Sequence, residues 1–94
     1  MKLNKDFILK DMKGADGEIT YYAIAVGKTA KNFKGMVKLN DSAAFMWNSI
    51  KQGADSEAKI TEALTKEYAI SDEQAKIDVA EVIKGLREIG AIID

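Results

Sequence analysis

The hydrophobic pattern of the chain changes its period near Asn40, and this change determines the kind of fold that is possible. Up to that residue the apolar positions form three short runs, Phe7 to Leu9, Ile19 to Val26 and Met36 to Leu39, as expected of strands. Beyond it, apolar residues recur about every 3.6 positions, the period of a helix. The sequence therefore predicts a three-stranded antiparallel meander followed by three helices, an α+β fold, with residues 91–93 as a candidate terminal strand.

Polar residues that cap helices divide the second half of the chain into three predicted helices. Ser42 is the expected N-cap of the first helix, Asp55 or Ser56 that of the second, and Ser71 that of the third. The third helix is expected to bury one stripe of side chains at helical spacing. The predicted core stripe consists of Ala75, Val79, Val82, Leu86 and Ile89.

The length of 94 residues and the residue types that are missing limit what the chain can do. One domain, residues 1–94, is all that this length accommodates around a hydrophobic core of its own. The chain has no Cys and no His, which excludes thiol nucleophiles and disulfides and removes the usual general base and the commonest transition-metal ligand. We therefore expect a protein that is not an enzyme and that holds no cofactor and no metal.

No segment of the sequence has the features of a membrane span or a signal peptide. The longest apolar run, Tyr21 to Val26, is far shorter than the roughly 18 residues that a transmembrane helix needs. The first residues, Met1 to Asp6, lack the apolar stretch of a signal peptide. We expect a cytoplasmic protein that does not bind membranes.

One flank of the third predicted helix combines small, apolar and basic residues beside the core stripe. At about 100° of rotation per residue, one flank of the core stripe carries Lys76, Ala80, Ile83 and Arg87. Farther round, Ile77 and Lys84 share a line that points nearly opposite the core. The small Ala80 between larger neighbours is compatible with a shallow, basic-rimmed groove. The same pattern is typical of an ordinary helix boundary with one exposed Ile, and the residues alone favour this second interpretation.

The segment from Gly35 to Trp47 resembles the PqqD family, whose peptide-binding domains are also called RiPP recognition elements. Its sequence, GMVKLNDSAAFMW, is similar to the family pattern of a strand that ends in Leu-Asn, then an acid, Ser or Thr, Gly, and an apolar helix with Trp. Ala43 stands where the family usually has Gly. The resemblance extends, with less specific motifs, from about Phe7 to Ile93.

The resemblance implies a winged-helix-like fold and a peptide-binding function. In the family, the leader segment of a ribosomally synthesised precursor peptide adds as a strand beside the third strand and packs against the third helix. The domain presents it to a modifying enzyme, often a radical SAM maturase. Carried over to this sequence, the edge consists of Met36, Val37, Lys38 and Leu39, and the facing wall of Lys76, Ile77, Ala80, Ile83, Lys84 and Arg87. We expect a leader with apolar residues at alternate positions and an acid facing Lys84 or Arg87.

Two other functions are compatible with the same fold. A winged-helix shape suggests nucleic-acid binding, but the third helix, residues 72–90, carries five acidic and three basic residues, which disfavours contact with phosphates. An exposed strand edge also pairs with its own copy, so a self-associating module, such as a homodimer, is the main alternative. We expect peptide binding and no nucleic-acid binding.

Overall fold

The computed structural model describes residues 1–27 and 36–94, so Gly35, at the start of the family-like segment, lies outside the described residues. In chain order the elements are β1 (Lys2–Leu3), β2 (Phe7–Lys13), β3 (Ile19–Ala25), β4 (Met36–Leu39), α1 (Asp41–Lys51), α2 (Glu57–Glu67), α3 (Asp72–Glu88) and β5 (Ile92–Ile93). The chain forms β2, β3 and β4 first and three helices after them, and this order confirms the predicted α+β, winged-helix-like fold.

The three-stranded antiparallel sheet has β3 at its centre, with β2 on one side and β4 on the other. Phe7 lies opposite Ala25 and Lys13 lies opposite Ile19, so β2 keeps full pairing past its apolar start and ends one residue after Met12, by which the predicted strand fades. The added length comes from pairing with β3, because the last residues of β2 are mostly polar and show no strand pattern of their own.

A second, two-stranded sheet joins the two ends of the described chain. β1 pairs antiparallel with β5, with Leu3 opposite Ile92, which confirms the predicted terminal strand. Asn4 stabilises this junction, because its side-chain Nδ2 donates a hydrogen bond to the carbonyl of Gly90 at 3.0 Å. Nothing in the sequence indicates β1, since two residues are too few to show a period.

Each helix begins at a side chain that accepts a backbone hydrogen bond. Ser56 caps α2 and Ser71 caps α3, as predicted. The N-cap of α1 is Asn40 rather than the predicted Ser42, since Asn40 Oδ1 accepts the backbone N–H of Ala43 at 2.8 Å. Ser42 lies inside the first turn, where its hydroxyl donates to the same Oδ1 at 3.0 Å. The prediction is two residues late because Asn and Ser suit the N-cap equally well.

The helices bury their apolar sides against one face of the sheet, but the core stripe of α3 differs from the predicted one. Ile83, expected on the surface flank, belongs to the core, with 1% of its surface exposed. Val82 and Ile89, expected in the core, are only partly buried and lie at its margin. The buried residues of α3 are Ala75, Val79, Ile83 and Leu86.

Replacing Asn40 by Ala removes the cap of α1 and is expected to lower the free energy of unfolding by about 1 kcal/mol. Ser42→Ala is the matched control, because it leaves the acceptor on Asn40 and the N–H of Ala43 in place. It should therefore cost clearly less. Urea unfolding followed by circular dichroism measures both values. A larger loss for Ser42→Ala than for Asn40→Ala would contradict the observed cap.

Candidate functional site

β4 is an edge strand of the three-stranded sheet. One side of it pairs with β3, with Leu39 opposite Tyr21 and Met36 opposite Ile24 at the two ends of the pairing. The other side is the edge of the sheet, and no second strand pairs with it in the described ranges 1–27 and 36–94. An edge of this kind offers backbone N–H and C=O groups to a further strand. It is formed by residues 36–39, where the sequence placed it.

An apolar groove runs between β4 and α3. Residues 37–40 and Ala43 form one side, and the other side is formed by Glu81, Val82, Gly85, Leu86 and Ile89 of α3. The volume of the groove is about 250 Å³, which is below the range of roughly 300–1,000 Å³ that is usual for small-molecule pockets. Its size and apolar lining suit side chains of an extended peptide better than a whole small molecule.

The α3 wall of this groove is not the wall that the sequence predicted. Val82 and Ile89 lie on one flank of the buried stripe, and the predicted residues lie round the helix on the other side of that stripe. Lys76, for example, lines a hollow shared with Thr61 of α2, and Ile83 is in the core. The groove beside β4 is lined by none of the predicted wall residues: Lys76, Ile77, Ala80, Ile83, Lys84 and Arg87.

The charges at the groove also differ from the expected basic rim. Glu81 is the charged side chain of α3 that lines the groove. Lys38 contributes its backbone, because its side chain lies opposite Tyr22 and points to the other face of the sheet from Val37 and Leu39. Arg87 is engaged elsewhere, since its guanidinium donates to the carboxylate of Asp94 at 3.0 Å. The charge that lines the groove on α3 is therefore that of Glu81, and the contact of a leader with Lys84 or Arg87 stays a prediction.

Gly85 keeps the α3 side of the groove open. It lies inside a 17-residue helix, where Gly is less favourable than Ala by roughly 0.5–1 kcal/mol. A Cβ at this position would meet no neighbouring group within 4 Å, so packing within the fold does not require Gly here. Because Gly85 has no side chain, it leaves space along the groove.

A larger hollow, of about 640 Å³, lies at the other edge of the sheet, between β2 and α1. Its lining includes the charged side chains of Lys5, Asp11 and Lys51. β2 also carries Lys10 and Lys13, and charged residues on an edge strand discourage pairing with a further strand. We therefore take the smaller, apolar groove beside β4 as the candidate site.

Tyr68 belongs to the packing of α1 against α2 rather than to the groove. Its ring meets that of Phe45 edge-on, with the centroids 5.6 Å apart. Partial burial raises the pKa of Tyr68 above its usual value of about 10, and the negative charges of Asp41 and Glu67 add to this effect. The phenol is therefore protonated at neutral pH.

The described residues also bear on metal binding and on crossing a membrane. No group of three or more Cys, His, Asp or Glu is arranged there to hold a metal ion. No helix in the same part of the chain is long and apolar enough to cross a membrane.

The chain is similar to one known family and to a solved structure. Residues 25–92, more than half of the chain, match the family model described as coenzyme PQQ synthesis protein D (PqqD). The structure described as TbiB1 in complex with the TbiA(beta) leader peptide matches with a TM-score of 0.71. The match covers 100% of both chains at 13% sequence identity, so this likeness shows the fold. No curated protein matches the chain.

Replacing Gly85 by Ala is expected to raise the free energy of unfolding by roughly 0.5–1 kcal/mol, because Ala favours the helix interior and its methyl group enters open space. Gly53→Ala is the matched control. A Cβ there also meets nothing within 4 Å, but its φ of +115° disfavours any residue with a side chain, so stability should fall. Urea unfolding compares the two variants. A loss of stability in Gly85→Ala would mean that the fold itself needs Gly85.

Proposed function

Because the chain belongs to the PqqD family, we propose that it binds the leader segment of a ribosomally synthesised precursor peptide and presents that peptide to a modifying enzyme. The whole chain, residues 1–94, is the proposed binding unit, and the cytoplasm is its proposed place of action. The domain contributes recognition rather than catalysis. The enzyme supplies the chemistry, and the family resemblance suggests a radical SAM maturase.

The observation that carries this proposal is an open strand edge that lies directly beside an apolar groove. A peptide added to β4 uses the backbone groups on the side that faces away from β3, so its affinity does not depend on catalytic side chains. Alternate side chains of such a strand point to the same face and enter the space lined by Val82, Gly85 and Ile89. The match to a structure described as a complex with a leader peptide supports a leader peptide as the ligand.

The lining of the groove defines the leader that we expect. Its residues are apolar at alternate positions along β4, and the bulkiest of them lies opposite Gly85, where α3 has no side chain. Glu81 favours a basic residue of the leader in the groove. Lys38, on the opposite face of the sheet, favours an acidic residue among the leader side chains that point to that face. Charge pairs of this kind contribute specificity and register more than affinity.

The same edge supports a second hypothesis, in which β4 pairs with β4 of another copy. Two identical edges that pair antiparallel form a closed dimer. Dimer and leader then compete for the same backbone groups, so that titration with leader converts dimers into peptide-bound monomers. Nucleic-acid binding has less support, because α3 carries five acidic and three basic residues and a helix in contact with phosphates should be net basic.

Leader binding is tested by titrating isotope-labelled protein with the synthetic N-terminal segment of a short peptide encoded beside the gene for this chain. We expect amide shifts at residues 36–39 and from Val82 to Ile89. Val82→Glu should weaken binding about tenfold or more, because it places a charge in an apolar contact. Ile77→Glu is the matched control, since Ile77 is 53% exposed on another side of α3, and should bind normally.

Two results would contradict the proposed groove. Weakened binding in Ile77→Glu with normal binding in Val82→Glu would return the site to the flank that the sequence suggested. Saturating peptide without shifts at residues 36–39, combined with sedimentation as a dimer, would favour pairing of β4 with a second copy.

A bulky side chain at Gly85 is expected to block the groove while the fold remains intact. Gly85→Leu should weaken leader binding about tenfold or more, and Gly85→Ala should have a smaller effect, because the loss follows the volume added to the groove. Calorimetric titration measures both affinities, and circular dichroism checks the fold. Equal affinities for wild type and Gly85→Leu would show that the leader does not pass Gly85.

A further inference from the structure

The face of the three-stranded sheet that turns away from the helices carries a continuous apolar row. Ile8 lies opposite Ile24, and Ile24 lies opposite Met36, so the row crosses β2, β3 and β4. Ile8 is 44% exposed and Met36 is 52% exposed, while Ile24 is half-buried. Directly opposed side chains on one sheet face have Cβ atoms about 4.5–5.5 Å apart. The three residues therefore form one contiguous patch, named here the outer strip.

A basic row lies next to the outer strip on the same face. Lys10 lies opposite Tyr22, and Tyr22 lies opposite Lys38, each two residues along its strand from the outer strip. Neither lysine forms an ion pair with a residue of the described chain. No Asp or Glu of β2, β3 or β4 belongs to this face, since Asp11 is on the alternate positions. The face is thus apolar and basic.

We propose that this outer face of the sheet docks the peptide-modifying enzyme, through an enzyme surface that combines apolar side chains with carboxylates. The inference rests on the proposed function, because it names the surface by which the bound leader is delivered. Exposed apolar patches beside polar groups are typical of protein–protein interfaces. The two unpaired lysines are complementary to acidic groups of the partner, which accelerate association and select the correct protein.

The outer face is continuous with the proposed leader site. A leader strand added beside β4 becomes the fourth strand of the sheet, and the side chains that do not enter the groove point to the outer face. They lie next to Met36 and Lys38, which already belong to that face. An enzyme docked there contacts the domain and the leader together, so that leader occupancy strengthens docking.

A second copy of this chain fits the outer face less well. Face-to-face packing of two such sheets brings Lys10 and Lys38 of both copies into one interface, and neither face supplies a carboxylate. If the acidic α3 of one copy instead docked on the outer face of another, the two copies would use different surfaces. Contacts of that kind lead to open chains of molecules rather than closed dimers. The charges therefore favour a different protein as the occupant.

The test measures binding of the purified modifying enzyme, encoded beside the precursor gene, to the full chain with and without the leader. Ile8→Glu is the informative variant, because Ile8 is exposed and β3 separates it from β4. We expect its leader affinity to be unchanged and its enzyme affinity to fall about tenfold or more. Ile93→Glu places the same charge at a similarly exposed Ile on β5, in the other sheet, and should leave both affinities unchanged.

Charge complementarity is tested separately with Lys10→Glu. This variant should weaken enzyme binding and flatten its dependence on salt, because screening by ions acts on exposed charge pairs. Lys66→Glu, which changes an exposed lysine on α2, is the matched control and should leave enzyme binding and its salt dependence unchanged.

The outcomes separate this inference from the proposed function. Normal enzyme binding by both Ile8→Glu and Lys10→Glu overturns the docking face, and so does a wild-type chain that binds no enzyme with or without leader. A wild-type dimer that Ile8→Glu converts into monomers also overturns it, since the outer strip then belongs to a second copy. Loss of enzyme binding in the outer-face variants alone supports the docking face. This result does not depend on the proposed groove, so it holds even if the leader fails to bind.

Discussion

The burial of one stripe of α3 is the interaction on which the rest of the structure depends. Val79, Ile83 and Leu86 are at most 2% exposed, and burying each of them stabilises the fold by about 1.5–3 kcal/mol relative to the exposed side chain. The stripe fixes the rotation of the helix about its axis. One flank then meets α2, while the other turns to β4 and, with no side chain at Gly85, leaves the groove open.

The end of α3 is fixed by the junction of the two chain ends. The backbone N–H of Ala91 donates to the carbonyl of Leu86 at 2.8 Å, and the N–H of Asn4 donates to the carbonyl of Ala91 at 2.8 Å. Gly90 makes the reversal with a φ of +86°, a conformation that Gly adopts without strain. These bonds attach the end of α3, which carries Ile89 at the far end of the groove, to the first residues of the chain.

The spacing of apolar residues along the sequence was sufficient to predict the fold but not to predict the residues that line the candidate site. Strands and helices differ in the spacing of their buried residues, so the elements from Phe7 to Ile93 were predictable, and so was the edge at residues 36–39. The α3 lining of the groove was not predictable, because Val82 and Ile89 are apolar but only partly buried, and in the sequence a partly exposed apolar side chain looks like a core residue. The apolar arc of α3 is wider than its core, and the prediction placed Ile83 outside that core. Which flank meets β4 depends on the path of the chain through α1 and α2, which local spacing does not encode.

Register is the quantity that a binding domain of this kind has to control. A strand that slips by one residue turns every side chain to the opposite face, and in the proposed complex such a slip moves the apolar leader residues from the groove to the outer face. Apolar contacts alone do not prevent slips of two residues, since these restore the alternation. Glu81, the charged side chain that lines the groove, distinguishes such registers, because a basic residue of the leader meets it in only one of them. In the proposed complex, a single charge in an otherwise apolar groove therefore determines which part of the leader pairs with β4.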